Sequence, residues 1–223
     1  MFSAEHFIDL IIMGWLSNVP LAIGSIVSIS VFCERLVSFR GLEDASRQLA
    51  GKVIDALVRR DHDAAKRMCA DSELPVAEMF EEALGWENVS ADDLDRIFAT
   101  RRAELGSGLK RGVWMIGTVG SLAPFVGLFG TVVGIIRAFG VMSSSGETGF
   151  DVVSANLSEA LIATAAGLGV AIVALTFFNY LQVRIGSLNA VYARSCERLV
   201  QALIYVETNS ASVAVDATSE SEA

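Results

Sequence analysis

The sequence is poor in charged residues and in proline. Asp, Glu, Lys and Arg make up only 19% of its 223 residues, whereas apolar residues make up 52%. Three stretches, residues 11–33, 113–142 and 157–181, hold no charge except Arg137 and Glu159. A helix of about 20 apolar residues is long enough to cross the hydrocarbon core of a bilayer. The sequence therefore predicts an integral membrane protein with three transmembrane helices.

Cysteine and histidine are scarce as well. Cys33, Cys69 and Cys196 are far apart in the chain, as are His6 and His62, so no metal-ligand spacing is present. The sequence also lacks a nucleophile–base pair, a histidine cluster and a phosphate-binding loop. It therefore predicts a protein that is not an enzyme and uses no cofactor and no metal. The net charge of −9 argues against nucleic acid as a partner.

Lysine and arginine are absent from two segments beside the apolar stretches. None precedes Arg35 and none occurs at residues 143–151, whereas 16 of the 17 lie in residues 35–111 and 184–198. Because basic loops stay on the cytoplasmic side, we predict a multi-pass protein of the bacterial inner membrane. Its N-terminus is predicted to be periplasmic and its C-terminus cytoplasmic. The lack of early basic residues also argues against a cleavable signal peptide.

The segments between the apolar stretches have helical patterns, and no strand-like segment is evident. Leu49, Val53, Leu57 and Val58 have the spacing of one helix face, and Pro75 is predicted to lie just inside a helix start. From N- to C-terminus we predict a periplasmic N-terminus (1–10), transmembrane helix 1 (11–33), a cytoplasmic helical insert (34–112), transmembrane helix 2 (113–142), a periplasmic loop (143–154), transmembrane helix 3 (155–182), a cytoplasmic helix (183–206) and a disordered tail (207–223).

The end of the insert is predicted to continue towards the second membrane helix. Ser90 is a candidate N-cap, and no proline follows it before Pro124. A single helix over this stretch is therefore expected, with glycines as its weak points. These glycines are Gly106, Gly108 and Gly112.

Small residues recur on one face of each of the last two apolar helices. At steps of three and four, the first row is Gly117, Gly120, Pro124, Gly127, Thr131, Gly134 and Ala138, and the second is Ala160, Thr164, Gly167, Ala171 and Ala174. Such rows let helix backbones approach closely in lipid. The single threonine in the middle of each row instead suggests a lined space, where a hydroxyl both donates and accepts hydrogen bonds. Both interpretations remain open.

Glu159 is the one carboxylate within the three apolar stretches. Ionisable groups at such depth are costly and are candidates for function. Three positions are open to it: the wet outer interface, a contact with a neighbouring subunit, or a contact with Arg137 across the hairpin of the two helices.

Three segments of the sequence resemble the MotA/TolQ/ExbB proton-channel family, and most closely its TolQ and ExbB members. They are "VPLAIGSIVSISVFCERLVSFRGL" at the first helix, "APFVGLFGTVVGI" at the second and "LSEALIATAAGLGVAIVA" at the third. The resemblance implies a ring-like homo-oligomer, expected to be a pentamer. This ring would surround a dimeric single-helix partner of the TolR/ExbD type, whose aspartate carries the proton.

The resemblance also implies roles for individual residues. Thr131 and Thr164 correspond to the pore threonines, Glu159 to the glutamate of the third helix and Pro124 to the helix-bending proline. The small residues of these motifs are expected to serve helix packing, namely Gly127, Gly130, Gly134, Ala160 and Gly167.

The function implied is a proton-conducting subunit of an energiser complex that performs mechanical work on the cell envelope. Envelope constriction of the Tol type, iron-complex uptake, protein or polymer transport and gliding motility are all possible outputs, and the ion is H⁺ or Na⁺. The alternative is a membrane scaffold or transporter subunit whose small-residue rows serve packing only.

Overall fold

The computed structural model describes residues 15–86, 91–145 and 150–221. All regular secondary structure in this part of the chain is α-helical, which confirms the all-α prediction. The helices are α1 (Trp15–Ser38), α2 (Leu42–Val58), α3 (His62–Ala70), α4 (Pro75–Gly85), α5 (Ala91–Lys110), α6 (Val113–Ser145) and α7 (Phe150–Ser221).

The chain divides into two compact units. An apolar unit contains Met1–Val37 and Gly112–Gln182, and an insert unit contains Ser38–Arg111 and Val183–Ala223. Within the described residues, three helical regions are long and apolar enough to cross a membrane: Ser17–Val58, Val113–Gly140 and Leu157–Thr208. They begin in α1, α6 and α7, where the sequence predicts the three transmembrane helices.

The apolar unit has small residues where its helices meet and large ones outside. Leu21 of α1, Ala123 of α6 and Ala171 of α7 form its buried cluster, with Val126 and Val170 packed against it. Large apolar side chains cover the exposed surfaces of all three helices: Ile23, Ile26 and Ile29 on α1, Phe125, Phe129 and Ile136 on α6, and Leu161, Ile172 and Val173 on α7. Such continuous apolar exposure fits contact with lipid or with other protein helices.

In the insert unit, short helices pack on one another in chain order. Helix α2 contacts α3 and α4, α3 contacts α4, and α4 contacts α5. Two of these helices start at residues suited to the position. The Asp61 carboxylate accepts a hydrogen bond from the Ala64 amide at 2.9 Å and caps α3. Pro75 lies in the first turn of α4 as predicted, where its missing N–H costs nothing.

The buried face of α2 agrees only in part with the sequence pattern. Val53 and Leu57 are fully buried, but Val58 is 47% exposed because the helix ends there.

Burial also sets the protonation of Cys69 on α3. Desolvation and then the nearby charge of Glu81 raise the pKa of its thiol to about 11. At neutral pH this thiol is therefore protonated and packs as a small apolar side chain.

The junction between α5 and α6 differs from the single helix that the sequence predicts. Helix α5 ends at Lys110, and Gly112 adopts a left-handed backbone conformation with φ of 78° before α6 begins at Val113. Of the three glycines named as weak points, Gly106 and Gly108 lie within α5, and Gly112 interrupts the helix between α5 and α6. Glycine alone adopts this conformation without strain from a Cβ atom.

Other boundaries also differ from the predicted ones. Helix α6 reaches Ser145 and α7 begins at Phe150, so helix extends into the predicted loop at 143–154. Helix α7 continues to Ser221, whereas a disordered tail is predicted from residue 207; this tail contains no glycine or proline that would end a helix. The predicted N-terminal segment (1–10) and the candidate N-cap Ser90 lie outside the described residues.

Candidate ion-pathway hairpin

Helices α6 and α7 pack through a row of glycines on α6, which we call the hairpin seam (Gly117, Gly120, Gly127 and Gly130 of α6 against residues 163–178 of α7). A Cβ atom at Gly117 would lie 2.9 Å from the Phe178 ring, and one at Gly120 would lie 2.8 Å from the Leu175 side chain. Further along, a Cβ atom at Gly127 would lie 3.0 Å from the Ala163 carbonyl oxygen. As residue numbers rise on α6 they fall on α7, so the helices are antiparallel.

The closest approach of the hairpin seam is between two backbones. A Cβ atom at Gly167 would lie 2.7 Å from the Ala123 carbonyl oxygen and 2.9 Å from the Gly127 Cα atom. Neither neighbour is a flexible side chain, so the contact requires glycine on α7. Gly127 of the first small-residue row and Gly167 of the second therefore pack against each other within one chain. This agrees with the packing interpretation of the two rows.

Both threonines direct their hydroxyl protons at carbonyl groups of α6. Thr164 Oγ1 donates across the hairpin seam to the Gly127 carbonyl oxygen at 2.9 Å. Thr131 Oγ1 donates to the Leu128 carbonyl oxygen, three residues earlier on its own helix, at 2.6 Å. Both side chains are half-buried. Gly127 and Thr131 are one helical turn apart, so the two hydroxyls belong to adjacent turns of the same hairpin.

Helix α1 completes the packing on the same side of α6. A Cβ atom at Gly130 would lie 2.8 Å from Ser17 Oγ and 3.0 Å from the Ala163 Cβ atom, and one at Gly24 would lie 3.1 Å from Val119. Sequence patterns missed Ser17, which is 3% exposed. Its signal is weak, since a single serine near the start of an apolar helix does not reveal that another helix covers it.

The remaining candidates lie beside the seam or towards the end of the hairpin. Ala160 is buried at 4% exposure, Gly134 is half-buried, and Pro124 lies half-buried within α6. Proline has no N–H to donate, so the Gly120 carbonyl lacks its usual helical partner. Whether this bends α6 stays a prediction, since α6 is continuous from Val113 to Ser145.

Glu159 and Arg137 lie close enough for their charges to interact. This favours the third of the positions that the sequence left open, a contact across the hairpin. Glu159 is half-buried, and five residues separate it from Thr164, which places the two about 140° apart around α7. The structure therefore places the hydroxyl bonds of Thr131 and Thr164 on adjacent turns of α6 and leaves Glu159 outside the hairpin seam.

Metal-binding clusters are not found in the part of the chain that the structure describes. No group of three or more His, Cys, Asp or Glu side chains there could hold an ion. The notable geometry is instead an apolar three-helix unit with a glycine-lined seam, two threonine hydroxyls bonded to α6 carbonyls, and Glu159 within range of the charge of Arg137.

Comparison with known proteins assigns the chain to a family. Residues 71–193, more than half of the chain, match the MotA/TolQ/ExbB proton channel family. The chain belongs to that family, as the sequence motifs predict, and it is a membrane protein. The match includes both α6 and the part of α7 that carries Thr164.

Individual relatives carry the names ExbB and TolQ. The biopolymer transport protein ExbB of Salmonella typhimurium is 37% identical over 121 residues, which cover 54% of this chain and 48% of the relative. The Tol-Pal system protein TolQ of Haemophilus influenzae is 40% identical over 84 residues, covering 38% and 37%. A putative ExbB-like protein of Synechocystis sp. is 28% identical over 195 residues, covering 81% and 92%. The match thus spans about half or less of the first two relatives.

Proposed function

We propose that this chain is a proton-conducting subunit of an inner-membrane energiser complex. In this proposal it forms a homo-oligomer, a pentamer, around a dimeric TolR/ExbD-like partner and couples ion flow to mechanical work on the cell envelope. The observation that carries the proposal is the pair of threonine hydroxyls on adjacent turns of the α6–α7 hairpin. Family membership and the three apolar helical regions support it.

The hydrogen bonds suggest how such hydroxyls would serve a proton path. Each threonine already donates its proton to a carbonyl of α6, so its oxygen is left with acceptor capacity. A protonated carboxylic acid can donate to such an oxygen, whereas a carboxylate needs donors. The pair is therefore suited to stabilising the neutral, proton-loaded form of a partner carboxyl group within the membrane.

The proton carrier is assigned to a partner because this chain holds no suitable acid at that depth. Glu159 is the only Asp or Glu in residues 11–33, 113–142 and 155–182, and it interacts with the charge of Arg137. A threonine hydroxyl does not titrate under physiological conditions. Moving one elementary charge across 100 mV yields about 2.3 kcal/mol, and its use requires a group that is loaded and unloaded on the way.

Packing alone is the second candidate function. The backbone contact of Gly167 with Gly127 and Ala123 favours it, because small residues there are explained without any ion path. In that case the chain is a scaffold or transporter subunit, the Thr164 hydroxyl serves only to join α6 and α7, and the Thr131 hydroxyl bonds only within α6.

Valine substitutions separate the two candidates, because valine keeps the shape of threonine and removes the hydroxyl. In Thr131→Val and Thr164→Val we expect assembly to be retained, since an interhelical hydrogen bond such as that of Thr164 contributes only about 0.6 kcal/mol in lipid and the bond of Thr131 lies within α6. Ion-driven output should fall by about fivefold to a hundredfold, because an unpaired polar group at the carrier costs about 1–3 kcal/mol. Output is measured as proton flux into vesicles that contain the complex with its partner.

Thr176→Val is the matched control. Thr176 lies on α7, the helix of Thr164. Its side chain is exposed, and its hydroxyl donates to the Ile172 carbonyl oxygen at 2.7 Å. Its loss should leave flux unchanged, and Thr131→Ser and Thr164→Ser should keep part of it. Full flux in both Thr131→Val and Thr164→Val would refute the pore assignment and leave packing as the explanation.

A further inference from the structure

A groove rich in arginine lies on the insert unit, and we call it the basic groove. It is lined by Arg47 and Ala50 of α2 and by Val191, Arg194, Ser195 and Arg198 of α7, and it encloses about 180 Å³. Its small lining residues Ala50, Val191 and Ser195 are buried, whereas the three arginines are exposed. The arginines therefore surround a narrow slot into which an acidic side chain can enter.

One arginine of the basic groove forms an ion pair within the described residues, and the other two form none. Arg47 Nη2 donates to Glu43 Oε1 at 2.6 Å, and Glu43 Oε2 accepts from Ser187 Oγ at 3.1 Å. Arg194 and Arg198, one turn apart on α7, form no ion pair within the described residues. Glu43 balances one of three positive charges, so the basic groove keeps an excess of positive charge.

The same unit contains an acidic stretch of sequence without basic residues. Residues 68–95 contain nine Asp and Glu and no Lys, Arg or His. In this stretch Glu82 pairs with Arg101 of α5. The acidic strip is defined by four exposed acids that form no ion pair in the described chain, namely Asp71, Glu73, Glu78 and Glu81.

Packing fixes two acids of the acidic strip, Glu78 and Glu81, on a rigid element. The opposite face of α4 is buried through Val76, Met79 and Phe80, each 0% exposed. Glu78 and Glu81, three residues apart, therefore project together from a helix whose other face is anchored in the core. This gives two carboxylates at a fixed spacing, which suits two arginines one turn apart.

We propose that the basic groove binds the acidic strip of a second copy of this chain. This inference rests on the homo-oligomer of the proposed function and names the contact that joins its subunits. Guanidinium groups pair with carboxylates in a directed, often bidentate manner. Because the two surfaces are different parts of one chain, the contact is head-to-tail, and a head-to-tail contact whose rotation closes generates a ring. The occupant is assigned to a second copy because the complementary charge is carried by every chain.

Charge reversal in the full-length protein tests the contact. In detergent, Arg194→Glu with Arg198→Glu should shift the oligomer to monomers by native mass spectrometry, at concentrations where the unmodified protein stays assembled. Arg194→Gln with Arg198→Gln should weaken the oligomer in the same direction, and helix content by circular dichroism checks folding. Arg59→Glu with Lys66→Glu is the matched control, because it changes the charge equally at exposed positions outside the basic groove and should leave assembly intact.

Rescue identifies the occupant. Adding Glu78→Lys and Glu81→Lys to the Arg194→Glu, Arg198→Glu protein should restore the oligomer, because the charges are exchanged on both sides. An oligomer of unchanged mass and salt sensitivity in the reversed protein overturns the inference and leaves the proposed function standing. An intact oligomer that has lost a co-purified anionic phospholipid assigns the groove to a lipid headgroup and also overturns it. A monomeric unmodified protein overturns both this contact and the proposed assembly.

Discussion

Thr164 shows how one residue combines packing with candidate chemistry. Its side chain is half-buried in the hairpin seam, and its hydroxyl reaches the Gly127 carbonyl of the neighbouring helix. The proton of that hydroxyl is used, but the oxygen keeps lone pairs for a further donor. The two interpretations of the small-residue rows are therefore compatible at this position, because the same geometry that closes the seam also fixes the direction of the hydroxyl.

Gly167 allows the packing role to be measured separately from the hydroxyls. In Gly167→Ala the new Cβ atom would lie 2.7 Å from the Ala123 carbonyl oxygen and 2.9 Å from the Gly127 Cα atom. One backbone must move, and overpacking of this kind costs about 1–3 kcal/mol. We expect a lower melting temperature in detergent, measured by circular dichroism or by the fluorescence of a thiol-reactive dye.

The control for this prediction is Gly169→Ala, two residues along α7. A Cβ atom at Gly169 has no neighbour within 4 Å, and alanine is a better helix former than glycine by up to about 1 kcal/mol. Gly169→Ala should therefore melt at the same temperature as the unmodified protein or above it. Equal melting of the two variants would contradict the backbone contact at Gly167.

At the scale of the helix, the junction of α5 and α6 shows which glycine determines where a helix ends. Three glycines within seven residues look equivalent in the sequence, since each could interrupt a helix. The conformation distinguishes them, because Gly112 has φ of 78° while Gly106 and Gly108 stay in α5. The end of α5 and the start of α6 are thus set by one left-handed residue.

Alanine substitutions at two of these glycines are predicted to have opposite effects. Gly112→Ala should reduce stability by about 1–2 kcal/mol, because a Cβ atom is unfavourable in the left-handed conformation. Gly108→Ala should be neutral or stabilising, since Gly108 is helical and has open space around its Cα. Thermal unfolding of the two variants in the same detergent provides the comparison. A stabilising Gly112→Ala would show that α5 and α6 form one continuous helix.

At the scale of the whole molecule, the distribution of charge determines how the chain is expected to sit in the membrane. Sixteen of the 17 Lys and Arg lie in residues 35–111 and 184–198, and these ranges fall almost entirely within the insert unit. The three helical regions that are able to cross a bilayer all begin in the apolar unit. The boundaries of the two units therefore nearly coincide with the boundaries of the segments that contain Lys and Arg.

Cysteine labelling in intact cells tests the predicted orientation. Cysteines introduced at Ser144 and at Asp63 should lie on opposite sides of the membrane, because basic segments stay in the cytoplasm. A membrane-impermeant maleimide should label Ser144→Cys in intact cells and Asp63→Cys only after lysis. Both are made in a background with Cys33, Cys69 and Cys196 replaced by serine. Labelling of Asp63→Cys in intact cells would reverse the topology.

The sequence by itself determined the class of this protein. Long runs without charge require helices that satisfy their own backbone hydrogen bonds in lipid. The all-α architecture, the three apolar regions and the family follow from that pattern together with motifs around Pro124, Thr131 and Thr164. The helix start at Pro75 was also predictable, because proline suits the first turn whatever surrounds it.

Only the tertiary structure decided which small residues touch. Gly167 and Gly169 are alike in sequence, yet one meets a backbone and the other meets open space. The helical period gives the direction of each side chain but not the neighbour found there, so it missed Ser17 and left Glu159 with three possible positions. The charge interaction of Glu159 with Arg137 and the hydrogen bond of Thr164 to the Gly127 carbonyl join two consecutive helices, but each pairs residues that are many turns apart in the chain. Their register is fixed by the closest approach of their backbones, which no local pattern encodes.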